Sequence, residues 1–376
     1  MNKKWLIFGG GAAVLVIGFI VIFTVINNSH KPEKTVSSFN QAVKDNDVDT
    51  LKEMIQVDEK DVEINKQALT SFVNYLKANN ESYQVIKDGF KKQIKDDDFT
   101  SSYELVSLVE DGKTMGVFPN YKLKVTTVNL KLKGTEDDDE VELVVEGFKK
   151  PLETVDDEDD VYGPIFPGEY EVEASIQNNL GEFVDENKVD IWGNSEVSFL
   201  IDSEKLARED KVIQKDIIDA ANKFNEDMSV YVASGFQADK FTNVSDDLEM
   251  GFTGLSTNFE LAKDHVEKLE SQFLESTVNM DKLDLNQFDG EWKAEVTMLV
   301  SYNEKMKLED FDLEDFSYTE IRNFTLKYDQ KKEEWIIVDL SGEDADESEA
   351  DNWDNKEEIK IDDPPIRKWS EDDSFI

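Results

Sequence analysis

Any chemistry in this chain falls to its carboxylates. Cysteine is absent, and histidine occurs only twice, at His30 and His265. Without thiols there is no disulfide framework, no cysteine-ligated zinc, no iron–sulfur cluster and no thiolate nucleophile. Two histidines so distant in sequence exclude a multi-histidine metal centre, and a Ser-His-Asp triad could use only one of them. His30 follows an apolar run. His265 falls among Leu261, Val266 and Leu269 at helical spacing, where a surface or half-buried histidine is expected, and no G-x-S-x-G elbow accompanies it.

The acidic motifs assign no site either. Asp45, Asp47 and Asp49 have the first three spacings of an EF-hand loop. Its sixth position is Thr50, where the turn needs glycine, and its twelfth is Gln56 rather than a bidentate glutamate. Asp47 or Asp49 is expected instead as a helix N-cap. The runs Asp137-Asp138-Asp139-Glu140 and Asp156-Asp157-Glu158-Asp159-Asp160 read as solvated turns. Gly9-Gly10-Gly11 lies inside an apolar segment, so no phosphate-cradling loop is present. No catalytic, cofactor-binding or metal-ligating residue is therefore assigned.

Basic residues number 41 against 85 acidic ones, a net charge of −44, which excludes nucleic acid as a partner. The acids are spread over the whole chain. They read first as a solvated surface suited to high salt, and second as a surface for cations or a cationic partner.

The elements that would position such groups begin with an anchor. Trp5–Ile26 reads WLIFGGGAAVLVIGFIVIFTVI, without a charge. As a helix it spans about 33 Å, slightly more than the roughly 30 Å hydrocarbon core of a bilayer. The run is too long for a signal peptide and lacks a small-x-small cleavage site. An uncleaved transmembrane helix is expected in the lipid bilayer, with Lys3 and Lys4 holding the N-terminus in the cytoplasm and all that follows Ile26 outside. Gly9, Gly10, Gly11 and Gly18 form no clean GxxxG, so no oligomeric state is assigned.

Beyond a stalk at 27–34, apolar residues at helical spacing predict short helices: Val36, Phe39, Ala42 and Val43; Leu51, Met54 and Ile55; Ala68, Leu69, Phe72, Val73 and Leu76; Tyr83, Val85, Ile86 and Phe90. The period then changes to two. Tyr103–Glu110 and Lys113–Phe118 read as a hairpin turning at Asp111-Gly112, and Tyr121–Lys133 as a strand answered by Glu140–Glu146. Further strands are expected at Tyr170–Ile176, Lys188–Trp192 and Glu196–Ile201. A helical module with a terminal hairpin at 35–112 and one or two small β-sandwich modules at 113–202 follow from this. From Ser203 helices return, one long to about Val232 and others around Ala238–Asp246 and Asn258–Glu275. Strands at Trp292–Tyr302, Ile321–Tyr328 and Glu334–Leu340 then close residues 203–341 as an α+β unit, a long helix across a curved sheet in the nuclear-transport-factor-2-like (NTF2-like) cone arrangement. The acidic tail, 342–376, is expected to be disordered or loosely docked, with Trp353, Ile359, Ile361, Ile366 and Trp369 as possible grips. The fold class is thus α+β multidomain.

This order resembles the TcaA/YvbJ-type membrane-associated proteins of Firmicutes. The resemblance rests on Phe39-Asn40-Gln41-Ala42-Val43-Lys44-Asp45-Asn46-Asp47, Tyr121-Lys122-Leu123-Lys124-Val125, Tyr162-Gly163-Pro164-Ile165-Phe166-Pro167-Gly168-Glu169-Tyr170 and Trp335-Ile336-Ile337-Val338. It implies a role in the cell envelope and, in one branch, an effect on sensitivity to glycopeptide antibiotics through wall polymers. Such proteins commonly begin with a four-cysteine zinc ribbon. Only Met1–Lys4 precede the apolar run here, so no zinc-dependent role is expected.

Three readings fit. The preferred one is a non-enzymatic, single-pass protein of the cell membrane whose extracytoplasmic modules bind or organise wall polymers or a membrane-protein partner. The others are an enzyme using carboxylates in the NTF2-like pocket, and a structural spacer adapted to high salt.

Overall fold

A computed structural model describes residues 30–370 except 60, 61, 63, 101–103, 137, 156, 157 and 194. The expected anchor, with Lys3, Lys4, Trp5 and Ile26, lies outside the described residues. Among the described residues no helix is long and apolar enough to cross a membrane. The chain divides into two compact units. The first holds residues up to Thr135 with Val141–Ile176 and Val184–Ile201; the second holds Glu136–Glu140, Gln177–Phe183 and everything from Asp202 onward.

The first unit opens with helices α1 (Pro32–Asp45), α2 (Val48–Met54), α3 (Lys66–Ala78) and α4 (Asn80–Asp96). Asp47 caps α2, its carboxylate accepting the Thr50 amide at 3.0 Å, as its spacing predicted. The strands are β1 (Ile55–Val57), β2 (Val106–Thr114), β3 (Phe118–Val125), β4 (Val128–Lys133), β5 (Glu140–Val145), β6 (Thr154–Val155), β7 (Glu158–Ile165), β8 (Gly168–Asn178), β9 (Gly181–Ile191) and β10 (Glu196–Leu200). They form sheets ordered β1-β3-β2, β10-β4-β7-β6 and β5-β8-β9.

Three sequence expectations are corrected here. The β2–β3 hairpin turns at Met115–Val117, and Asp111-Gly112 sits in the register shift between Glu110 and Lys113. Gly112, at φ 72°, supplies the left-handed backbone that such a bulge needs. The predicted strand Tyr121–Lys133 breaks at Thr126-Thr127 and feeds two sheets, so β4 pairs with β7 and β10, and β5 pairs with β8. The expected boundary at 112/113 does not divide the chain, because helices and strands share one aromatic core. Phe72 of α3 lies 6.4 Å from Phe39, 5.4 Å from Phe166 and 5.6 Å from Trp192, centroid to centroid, and Trp192 stacks on Tyr75 at 4.1 Å. Tyr170, whose hydroxyl donates to the Phe166 carbonyl at 2.8 Å, closes the Tyr162–Tyr170 stretch. Burial pushes that phenol above its ordinary pKa.

The second unit begins with α5 (Ser203–Glu209) and α6 (Lys211–Ala233), two helices where one was expected. Asp210 ends the first and caps the second, accepting the amides of Val212 at 2.8 Å and Ile213 at 3.1 Å. Helix α7 (Asp246–Ala262) precedes β11 (Val266–Phe288), β12 (Glu291–Leu308), β13 (Leu313–Asp315), β14 (Tyr318–Asp329) and β15 (Glu334–Asp344). Strands β16 (Lys356–Lys360) and β17 (Arg367–Ser370) complete it. The antiparallel sheet runs β15-β14-β12-β11-β16, with β17 also on β11, and α6 packs across it.

The helix predicted over Asn258–Glu275 is therefore an error from Val266 onward. Leu269 and Phe273 fit a helical period, but the buried positions are Leu269, Ser271 and Phe273, a strand alternation that a polar serine conceals. The acidic tail is also more ordered than its composition suggested. Beta16 pairs with Glu275–Asn279 and β17 with Lys268–Ser271, while Trp369 meets Phe259 edge-on at 5.0 Å.

Because Phe72 is fully buried among three other rings, Phe72→Ala is expected to destabilise the first unit by about 3–5 kcal/mol. Urea unfolding followed by tryptophan emission measures the shift.

Candidate functional site

Two polar features of the second unit could carry function, one inside the sheet–helix core and one on its flank. Inside, Arg322 of β14 shares a face with Phe324 and Leu326 and is only 3 % exposed. Its Nη1 donates to Asn225 Oδ1 and to the Tyr302 hydroxyl, both at 2.8 Å, and its Nη2 to the Tyr318 hydroxyl at 3.1 Å. Its Nε pairs with Glu320. The Tyr302 hydroxyl in turn donates to the Asn225 carbonyl at 2.9 Å, tying α6 to β12 and β14. Burial works against the Arg322 charge, but Tyr302, Tyr318 and Glu320 outweigh it and hold the guanidinium above its ordinary pKa. Burial raises the phenols of Tyr302 and Tyr318.

Glu304 of β12 lies at the edge of this network and accepts from the Ser271 hydroxyl at 2.9 Å. Burial holds its carboxyl above the usual glutamate range, against the lowering effects of Ser271 and Arg322 and with added repulsion from Glu320. With each guanidinium nitrogen engaged by a protein acceptor, the network ties the core together rather than opening toward a substrate.

On the flank, one stripe of α6 and the β14–β15 hairpin enclose an open cleft of about 560 Å³. Asp216, Ala220 and Lys223 recur along the helix at three- and four-residue steps, which places them on one face. Asn243 forms part of the lining from the loop after α6, and Tyr328, Glu333 and Trp335 face them from the hairpin. The rings of Tyr328 and Trp335 lie 5.2 Å apart. Lys223 pairs with the buried carboxylate of Asp227, which also accepts the Thr242 amide at 3.0 Å and its hydroxyl at 2.7 Å. Asn243 Nδ2 donates to the Ala220 carbonyl at 2.8 Å, while its buried Oδ1 has no partner. Asp216 is held above the usual carboxylate range by partial burial first and by repulsion from Asp219 second.

The residues singled out in the sequence lie elsewhere. His30 stacks on Phe118 at 5.8 Å in the first unit. His265 is in a short 3₁₀ turn between α7 and β11 rather than on a helix, exposed, with Nδ1 3.5 Å from Glu309. In the 137–140 run, Asp139 accepts from Asn178 at 2.9 Å, and Asp138 accepts from Asn179 and Gln287. Asp160, from the second run, pairs with Lys131 at 3.4 Å. Among the described residues no group of three or more His, Asp or Glu side chains could hold a metal ion. Sequence reasoning missed both Arg322 and the cleft. The available signals were an arginine in strand register with Phe324 and Leu326, and Asn225 on the apolar stripe of α6.

Comparison with known proteins follows the same division. Residues 32–125 match the family model of the TcaA protein second domain, and residues 217–341 that of the YvbJ NTF2-like domain. The chain is 24 % identical over 392 aligned positions to the "Uncharacterized membrane protein YvbJ" of Bacillus subtilis, covering 96 % of this chain. It spans 62 % of the length of that relative.

The raised carboxyl of Glu304 gives a signed prediction. The folded state binds that proton more tightly than the unfolded state does. Its contribution to stability is therefore complete below about pH 4 and is lost as pH rises through the higher folded value. Glu304→Gln keeps an acceptor for Ser271 and is expected to gain on the wild type between about pH 4 and pH 7. Thermal melts of both proteins across that range measure the trend.

Proposed function

Starting from a chain that carries a TcaA second domain and a YvbJ NTF2-like domain and aligns with a membrane protein, we propose an envelope-binding protein anchored in the cell membrane. In this reading Trp5–Ile26 crosses the bilayer, Lys3 and Lys4 stay in the cytoplasm, and both folded units work outside. They bind wall polymers or a membrane-protein partner and perform no turnover. An influence on sensitivity to cell-wall antibiotics follows from the same reading.

The observation that carries it is the open cleft beside α6, a recess lined by Asp216, Asp219, Glu333, Glu334, Asn243 and Tyr328 on a unit matched by the YvbJ NTF2-like model. Binding of a small polar group needs no more than this. The decisive experiment sediments the full chain, in detergent, with wall sacculi, with and without their anionic polymers, over a range of NaCl and Mg²⁺. Co-sedimentation is expected. If it requires both Mg²⁺ and the anionic polymers, cations bridge two acidic partners; if bare peptidoglycan suffices, a saccharide or peptide is recognised. A chain that stays in the supernatant throughout overturns wall binding.

One observation favours a second reading, a carboxylate-based enzyme: Asp216 is held in its acid form to higher pH beside Asp219. That reading predicts turnover of a wall fragment that Asp216→Asn abolishes without loss of binding.

A further inference from the structure

We propose that the tip of the β2–β3 hairpin, Met115-Gly116-Val117, dips into the headgroup layer of the bilayer that anchors the chain. This rests on the reading above in which Trp5–Ile26 spans that bilayer, and it gives the first unit a second contact with lipid.

The tip is apolar where a hairpin ordinarily turns on polar residues. Met115 is 77 % and Val117 63 % exposed. Met115 and Gly116 both hold left-handed backbone, at φ 54° and 72°. Among residues that carry a side chain, that conformation favours Asn and Asp. A methionine there meets a steric cost and also shows its side chain to water. Exposed apolar residues scattered singly need no partner, but these two share one short turn.

Chain length says what covers them. Only Asn27-Asn28-Ser29 separate Ile26 from His30. Four fully extended steps reach about 14 Å at most, while the headgroup layer is about 5–8 Å deep. His30 therefore stands no more than about one helix diameter above the headgroups. Its ring stacks on Phe118 at 5.8 Å, and Phe118 pairs with Thr114 at the base of the turn. The residue that follows the span is thus held against the residue that closes the tip. A second protein would have to enter that narrow gap, where lipid already lies. Charge agrees with this placement. Residues 30–34 and 111–118 carry Lys31, Lys34 and Lys113 against Glu33 and Asp111, and Asp111 is paired with Lys122 at 2.9 Å. This corner escapes the excess of acid that elsewhere on the chain would repel anionic lipid.

The absence of cysteine makes the test direct, because one introduced thiol takes one label. The full chain with Met115→Cys is labelled with bimane and reconstituted into vesicles of phosphatidylcholine and phosphatidylglycerol. Lipid carrying a nitroxide high on its acyl chain is expected to quench the label about twofold or more, while aqueous iodide is excluded. Lys44→Cys, about 20 Å further along α1, is the reference expected to stay in water. Adding Val117→Asp to the labelled chain is expected to release the tip and restore its emission. Val117→Ser replaces it if melting shows a loss of fold.

A label at 115 that stays open to iodide overturns the inference. So does equal lipid quenching at Lys44→Cys, or quenching at 115 that ignores the substitution of Val117. Flotation of the same vesicles tests the anchor separately. A chain that floats with its label in water loses the tip contact and keeps the anchor; a chain that does not float loses both.

Discussion

A single buried guanidinium sets the terms for the second unit. Taking an arginine out of water costs several kcal/mol, so the fold must surround it with acceptors or not form. Arg322 receives Asn225 from α6, Tyr302 from β12, and Tyr318 and Glu320 from its own strand. These partners come from three elements, and Asn225, the one α6 contributes, reaches the fork only when that helix lies at one height and one rotation over the sheet. Apolar packing of Ile217, Ala221 and Phe224 would tolerate sliding; the polar fork does not. With α6 held in place, its adjoining stripe with Asp216 and Lys223 must face the β14–β15 hairpin. The interior network thus determines where the flank cleft opens.

Charge plays a different part outside. Lys215–Asp219, Lys263–Glu260 and Lys332–Glu334 are solvent-exposed pairs, which water and salt screen. At a net charge of −44 the surface is dominated by carboxylates facing water. Stability rests instead on buried apolar contacts such as the Phe39, Phe72, Phe166 and Trp192 group, which salt screens little. Acidity therefore governs which partners approach, while the aromatic and guanidinium cores govern the fold.

Much of this was legible in the sequence. The four N-terminal helices, the Asp47 cap and the α+β plan from Ser203 followed from apolar spacing and one carboxylate before a helix. What failed has a common cause, polar residues used inside. Ser271 occupies a buried strand position, so β11 looked helical. Arg322 and Asn225 looked like surface residues because a single charge or amide in an amphipathic element ordinarily points to water. Tail composition misled in the opposite direction. Its charges can stay solvated while its backbone pairs with β11, and Trp369 supplies the apolar hold on Phe259. The cleft was not readable at all, since α6 and the β14–β15 hairpin are a hundred residues apart and only the register of the sheet brings them together.

The pairing of β16 and β17 along β11 has one more consequence. Beta11 is the longest strand of the sheet, and without those two segments its outer backbone groups would form a long unsatisfied margin on which another chain could polymerise. The two covering strands are short and carry Lys356, Glu357, Glu358, Lys360, Arg367 and Lys368, which makes the new margin a poor template for further strand addition. The C-terminal segment thus serves as a selvedge for the sheet. A chain shortened after β15, or one with a bulky fusion placed close behind β17, would carry a raw edge, and self-association would be its first symptom.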